Sequence, residues 1–422
     1  MHIPETVKTY GIIALVIVLS FWFFSRFIDP TPPKKIVVAS GSVSGDYYKY
    51  AHLYKEALAK EGITIEVLKT AGSLDNINLL MEGKADVAFI QSGLATDKSV
   101  DKITTLGSLY YEPLWVFSRN NRPSKKDIQN LEGNTLAVGV KGSGTNVLAT
   151  RLLELNDIRD KVTLIEISGK EAVAALKDGR VDIAFFVARS ESSYIQDLLH
   201  EPGIDLLSFH RAEGYTRLMP FLSKVQLSEG AISMAPNIPA GDKALLAPVA
   251  QLVSQKDFNG ALKTLLVTAA MDVHGKADMF STKGQFPTLD FSDFPVAEEA
   301  ERYFKYGPNF LQRVLPFWLA DMVGRMVVML IPLLGIMLPL IKLASPTYRW
   351  RTRSKIYKWY KSLKKLEEST IEASVDVKEL LSSLERIEVE VKKTQVPLSY
   401  ADELYNLRLH IRMIKEQLKK SA

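Results

Sequence analysis

The sequence predicts an α/β fold of two lobes, flanked by two transmembrane helices and followed by a C-terminal helical hairpin. Three observations carry this expectation. Two apolar stretches stand at residues 11–28 and 326–341. Between them a strand–turn–helix pattern occurs twice, 96 residues apart as measured from Gly83 to Gly179. Beyond the second stretch comes a basic run and then two segments with apolar residues at helical spacing.

The first stretch, Gly11 to Ile28, is apolar on all faces and about long enough to cross a bilayer. Its one charge, Arg26, stands near the end, where a long side chain reaches the headgroups. A cleaved signal peptide is the competing reading, but no small-x-small site follows before Asp29-Pro30. The second span centres on Met326 to Ile341; Pro332 and Pro339 within it are tolerated in a membrane helix. Lys342 to Lys365 then holds nine basic residues and no acid, which places this flank in the cytoplasm. Both termini are therefore expected inside and the main domain outside, in a bacterial inner membrane. The aromatic residues among these charges, such as Trp350 and Trp359, fit anionic headgroups better than RNA.

Charge and cysteine content exclude other classes. The net charge is +5. From Ala344 onward there are 17 Lys+Arg and 11 Asp+Glu, against 36 and 37 in the rest of the chain. The basic excess belongs to the tail, and no nucleic-acid partner is implied. With no cysteine, disulfides, thiol catalysis and a lipidated N-terminal cysteine are all excluded.

The repeat defines the lobes. Ile36–Ala39 reads as a strand, Gly41–Gly45 as a turn, Asp46–Lys60 as a helix, and Thr64–Leu68 as the next strand. Ala71-Gly72-Ser73 then opens a second helix, and 85–90 is the third strand. The order returns with the strand 136–140, the turn Lys141-Gly142-Ser143-Gly144-Thr145, a helix to about Asn156, the strand 162–167, and the turn Ser168-Gly169. The closing segments overlay: Glu82-Gly83-Lys84-Ala85-Asp86 matches Asp178-Gly179-Arg180-Val181-Asp182. Ligands of parallel sheets sit beyond the carboxyl ends of the strands. There the four Gly/Ser turns would offer backbone N–H groups at helix N-termini to an anion. The plainer reading is that glycine and serine are simply good turn and cap residues.

The ordered set Gly41-x-x-x-Gly45-x-Tyr47-Tyr48, Thr70-Ala71-Gly72-Ser73-x-x-Asn76, Ile90-Gln91-Ser92, Gly142-Ser143-Gly144-Thr145 and Phe185-Phe186-Val187-Ala188 resembles the TAXI group of solute receptors of tripartite ATP-independent periplasmic (TRAP) transporters. The resemblance covers residues 34–308. It implies a type II periplasmic-binding-protein fold, no catalysis, and a small carboxylate or amino acid as ligand. By the same resemblance the site comprises Ser42, Tyr48, Ser73, Asn76, Gln91, Ser143, Gly144, Thr145 and Phe186. Three departures, Val43-Ser44 in the first turn, Gly93 where the family often has aspartate, and Arg189 where a small residue is usual, point to a more acidic ligand or an altered pocket.

The expected organisation is a cytoplasmic N-terminus (1–10), an anchor (11–28), a linker (29–35), lobe one (36–118), lobe two (119–212) and a return to lobe one (213–308). A juxtamembrane segment with the second span (309–343) and a cytoplasmic basic and helical tail (344–422) complete the chain. Leu114–Phe117 is expected as a strand toward the hinge, and Leu245–Leu252 and Gly260–Met271 as helices. In the tail, Ile371, Val375, Leu380, Leu384, Ile387 and Val391 mark one helix, and Leu404, Leu407, Ile411, Ile414 and Leu418 a second.

No cofactor, metal or catalytic group is expected. The six histidines lack ligand spacing, and Gly139–Thr145 lacks the lysine that must follow the last glycine of a P-loop. The leading function is a tethered receptor that hands a small organic anion or amino acid to a TRAP-type permease. The alternatives are a membrane-bound sensor signalling through its helical tail to a cytoplasmic protein, and an assembly scaffold with a dead pocket.

Overall fold

A computed structural model describes residues 5–26, 31–119, 128–371 and 377–420. The start of the linker (Asp29-Pro30), the second-lobe residues from 120 to 127 and Val375 of the tail lie outside the described residues. The chain forms two compact units, Asp29–Val323 and Met1–Ile28 with Gly324–Ala422.

In chain order, α1 (Glu5–Ser25) precedes β1 (Lys35–Ala39), α2 (Asp46–Ala59), β2 (Thr64–Leu68), α3 (Ser73–Met81), β3 (Val87–Gln91), the single turn α4 (Asp97–Val100) and β4 (Ile103–Tyr111). Next come β5 (Leu114–Arg119), β6 (Thr135–Ala137), α5 (Gly144–Leu155), β7 (Thr163–Ile165), α6 (Gly169–Lys177), β8 (Ile183–Val187), α7 (Ser193–Leu199) and β9 (Ile204–Leu206). Then follow α8 (Ala212–Leu218), the hairpin β10 (Ser223–Leu227) and β11 (Lys243–Ala247), β12 (Val249–Gln255), α9 (Gly260–His274), α10 (Glu298–Tyr306) and α11 (Phe310–Val314). The chain ends with α12 (Phe317–Ile371), α13 (Val377–Lys393) and α14 (Ala401–Lys420).

Two five-stranded sheets make the lobes, in the orders β2-β1-β3-β12-β4 and β7-β6-β8-β5-β9. In each, three parallel strands belong to the repeat, and an antiparallel strand from the other end of the lobe pairs with the third. The repeat has a physical basis that the overlay only hinted at. Asp86 accepts a hydrogen bond from Val37 N at 2.7 Å, and Asp182 accepts one from Thr135 N at 2.9 Å. Each carboxylate thus pins the third strand of its lobe to the first. Gly83 and Gly179 end α3 and α6 at φ +70° and +77°, where a β-carbon is disfavoured. Carbonyls at these helix ends are met by side chains from the neighbouring antiparallel strand: Gln255 reaches Leu80 O at 3.3 Å, and Arg119 reaches Lys177 O at 3.1 Å.

The expected lobe boundaries move. Leu114–Arg119 pairs with β8 and β9 and so belongs to the second sheet. Residues 213–247, expected in the return to lobe one, pack into the second lobe: Tyr215, Val225 and Leu245 are buried with its helices and strands. Leu245–Leu252 is not a helix. It spans the end of β11 and the start of β12, with Pro248 between them. A short apolar run buried on both faces has the same pattern in either conformation, and the proline favours the strand crossing. The helix expected at Gly260–Met271 is α9.

The chain therefore crosses between lobes twice, at Glu112-Pro113 and at Pro248. The crossings lie side by side, with Glu112 N donating to Pro248 O at 2.9 Å. Each sheet is covered on both faces. Tyr54 and Leu58 of α2 pack with Leu262 and Leu266 of α9 on one face of the first sheet, and Ile77 and Leu80 of α3 on the other.

In the other unit, α12 continues through Pro332, Pro339 and Pro346. Among the described residues one helix segment, Phe317–Glu368, is long and apolar enough to cross a membrane, and α1 holds a shorter apolar run, Ile13–Phe23. The tail is more than a hairpin. Helices α13 and α14 pack antiparallel through Leu384, Val391, Leu407 and Ile411, and the end of α12 joins them with Ile356 and Leu363. Lys415 of α14 bridges Glu385 and Glu388 of α13 at 3.2 and 3.0 Å.

Candidate functional site

Helices α2, α3, α5 and α6 all begin at one place, a cavity of ≈ 220 Å³ between the lobes, lined by Asp46, Ser73, Gly144 and Gly169 at their first positions. The sequence dictates this convergence. Each helix follows a Gly/Ser turn at the carboxyl end of a parallel strand, and the two lobes face one another along those ends. First-turn N–H groups lack helical partners, so four positive dipole ends meet in a small space.

The lobes are closed over the cavity. Leu74 N donates to Gly142 O at 3.1 Å, and Arg151 Nη1 to Gly93 O at 3.3 Å. Asp46, on the first lobe, accepts from Ser192 Oγ at 2.7 Å and from Arg189 N at 3.2 Å, both on the second. Gly144 is a place of close approach. A β-carbon there would lie 2.9 Å from Gln91 Cδ and 3.3 Å from Gln91 Cβ.

Seven of the nine sequence-expected residues line the cavity: Ser42, Ser73, Gln91, Ser143, Gly144, Thr145 and Phe186. Several are also committed to holding the wall. Ser73 Oγ accepts from Gln91 N at 2.9 Å, Ser143 Oγ caps α5 by accepting from Asn146 N at 3.2 Å, and Thr145 Oγ1 accepts from Val187 N at 3.2 Å. Phe186 packs on Tyr194 with ring centroids 5.6 Å apart and lines the cavity.

Two expected residues stand elsewhere. Tyr48 is outside the lining, its ring 4.6 Å from His52 along α2, and its neighbour Tyr47 faces the cavity instead. Adjacent helical residues point about 100° apart, so a helix beginning at Asp46 presents only one of the pair. Asn76 is fully buried and spent on backbone. Its Nδ2 donates to Ser40 O and Phe89 O at 2.6 and 2.7 Å, and its Oδ1 accepts from Thr70 Oγ1 at 2.6 Å.

Sequence reasoning missed the cavity's two carboxyls, Asp46 and Glu112, together with Tyr47 and Tyr194. Glu112 is 4% exposed, at the first lobe crossing, and accepts from Tyr47 Oη at 2.7 Å. Burial pushes its carboxyl up to about 8; the bond from Tyr47 opposes this and the charge of Asp46 adds to it. Burial, then Glu112, hold the Tyr47 hydroxyl well above the ordinary phenol range. The signal available in the sequence was a lone acid in an otherwise apolar run, Leu109–Phe117. Arg189, one of the departures read as a more acidic ligand or an altered pocket, does not line the cavity. Its guanidinium lies 5.3 Å from the Tyr110 ring and 3.6 Å from Asp278. His274, beside the same rings, is pushed down to about 3 by burial and then by Arg189.

The strand order and double crossing make the lobes periplasmic-binding-protein-like. A model of the NMT1-like family matches residues 38–232. No curated protein matches the chain. Among solved structures, a protein from Bordetella bronchiseptica is 16% identical with a TM-score of 0.45, over 65% of this chain and 99% of that one. A histidine kinase sensor domain with similarity to periplasmic binding proteins is 15% identical, TM-score 0.38, over 57% and 90%. An ancestral arginine-binding protein bound to arginine is 16% identical, TM-score 0.38, over 57% and 92%.

Proposed function

We propose that the chain is an extracytoplasmic receptor that captures a small solute between its lobes, tethered to the bacterial inner membrane and serving a TRAP-type transport system. The cavity carries this reading: four helix N-termini, seryl and threonyl hydroxyls and an aromatic wall converge on a space fit for a small molecule. The ligand is a small carboxylate or amino acid, whose carboxylate suits the turn Ser143-Gly144-Thr145 at the start of α5. Ser42, Ser73, Gln91 and Phe186 complete the contacts. No step of chemistry is assigned to the site. In this reading α1 and α12 anchor the protein, both termini lie in the cytoplasm, and a separate permease moves the solute.

A second reading, a membrane-bound sensor, is favoured by one observation. Helix α12 runs without a break from Phe317 to Ile371, and its end contributes Ile356 and Leu363 to the tail core. Displacement of its outer end would then reach α13 and α14.

A thermal-shift screen of the full-length protein in detergent, against dicarboxylates, keto acids and amino acids, tests the receptor. A ligand at a hundred times its Kd stabilises by about 2.7 kcal/mol. The shift should vanish in Ser143→Ala. A folded protein that responds to none of the panel refutes the reading. Deleting 366–422 separates the two: lost uptake favours transport, whereas unchanged uptake with a lost partner response favours sensing.

A further inference from the structure

Among the described residues, the side chains of acidic or basic type that line the cavity are all acids. Asp46 and Glu112 line it, and among the described residues no lysine, arginine or histidine does. The two acids are not equivalent. Asp46 is engaged by Ser192 Oγ and Arg189 N across the closed seam. Glu112 is almost fully buried and has Tyr47 Oη as its hydrogen-bond partner, with no basic partner among the described residues.

What faces Glu112 from each side is acidic or neutral. Helix α2 contributes Asp46 and Tyr47, β4 contributes Tyr110, and α7 contributes Tyr194; burial holds all three phenols protonated. Arg189, a cation of the neighbouring seam, is turned to the rings of Tyr50 and Tyr110 and to Glu191 and Asp278. A carboxyl in such a place is stable as the neutral acid until a positive charge enters beside it.

We infer that Glu112 determines the specificity of the cleft by receiving a cationic group of the ligand, an ammonium or amidinium, and releasing its own proton to solvent as the ligand enters. This rests on the receptor reading and narrows it: the ligand carries a positive group for Glu112 as well as a group that accepts hydrogen bonds from the helix N-termini. The balance is simple. Glu112 goes from carboxylic acid to carboxylate, one proton leaves, and the ligand keeps its own. A dicarboxylate finds two acids and no cation, so it is disfavoured.

The test is calorimetric titration of the full-length protein in detergent with L-ornithine, L-glutamine, cadaverine and glutarate, probes of one carbon-chain length. Each is titrated at pH 7 in phosphate and in Tris, whose ionisation enthalpies differ. The inference expects ornithine and glutamine, which carry both groups, to bind with release of about 0.9 proton, the fraction of a group titrating near 8 that is protonated at pH 7, and cadaverine, which lacks the accepting group, to bind more weakly. Their affinity should rise about tenfold from pH 6 to 7. Glu112→Gln should lose at least tenfold in affinity and all of the proton release. The proton count needs no variant, so misfolding of the variant does not blunt the test. Amine binding without proton release, or equal binding by the variant, overturns the inference. Binding of glutarate but no amine overturns it while leaving the receptor reading intact. Silence of all four, together with silence of the wider screen, overturns both.

Discussion

Removing the charge capacity of Glu112 should change how stability depends on pH, by an amount the structure fixes. The carboxyl titrates near 4.5 when free and at about 8 in its buried place. Folding therefore favours the protonated form. Its stabilisation is fully present below about pH 4.5 and is lost progressively as pH rises through 8. At about 1.36 kcal/mol per tenfold change in proton concentration, the total loss approaches about 5 kcal/mol. Of this, about 2.5 kcal/mol falls between pH 6 and 9. Glu112→Gln keeps the shape and a hydrogen-bonding oxygen for Tyr47 but cannot ionise. The stability difference between wild type and variant should thus shift by about 2.5 kcal/mol in the variant's favour over that interval. His274 does not confuse the comparison, because it is present in both proteins and the difference cancels it. Urea denaturation of residues 34–308, followed by fluorescence of Trp115, is the assay; Trp115 is the one tryptophan in that span and is fully buried. A difference that stays constant within about 0.5 kcal/mol from pH 6 to 9 would refute the claim that this carboxyl is neutral in the fold.

Other substitutions separate wall from scaffold. Asn76→Ala removes a donor from each of two buried carbonyls and should cost about 2–4 kcal/mol in denaturation experiments. Asp86→Ala and Asp182→Ala should each cost about 1.5–3 kcal/mol, because each removes a charge-assisted bond to a first strand; a loss in one lobe only would contradict the equivalence of the repeats. Gly144→Ala drives a β-carbon into Gln91 and should cost about 1–3 kcal/mol and loosen the seam, seen as weaker ligand binding with a larger radius of gyration by X-ray scattering. Leu407→Ala should cost the tail bundle about 2–5 kcal/mol, read as loss of helical circular dichroism at lower temperature.

Much of this architecture was legible in the sequence because the repeat encodes it twice. Gly83 with Asp86 and Gly179 with Asp182 do the same work in each lobe, so each supported the reading of the other. The lobe boundary was not legible. Val249–Gln255 is buried almost throughout, and a buried strand and a short buried helix share one pattern. The lining of the cavity was legible where turns make it, at Ser42, Ser73 and Ser143. It was not where side-chain direction decides, as between Tyr47 and Tyr48. Asn76 misled because a polar residue near a turn can be consumed by the backbone it sits beside. Glu112 had no spacing partner to reveal it, since its neighbours in space come from α2 and α7.

The paired crossings at Pro113 and Pro248 bear on how fast such a cleft captures and releases. Neither proline has an N–H, so the ladder joining the two strands is already interrupted where they pass from lobe to lobe. Swinging the lobes apart costs torsion at a few residues and breaks little hydrogen bonding there, Glu112 N to Pro248 O being the exception. Residence time is then governed at the far side of the cleft. The bonds that must part include those from Leu74 to Gly142, from Arg151 to Gly93, and from Ser192 and Arg189 to Asp46. Variants of Ser192 should therefore shorten the bound lifetime with little change in the rate of entry, while the crossing itself stays a compliant crease.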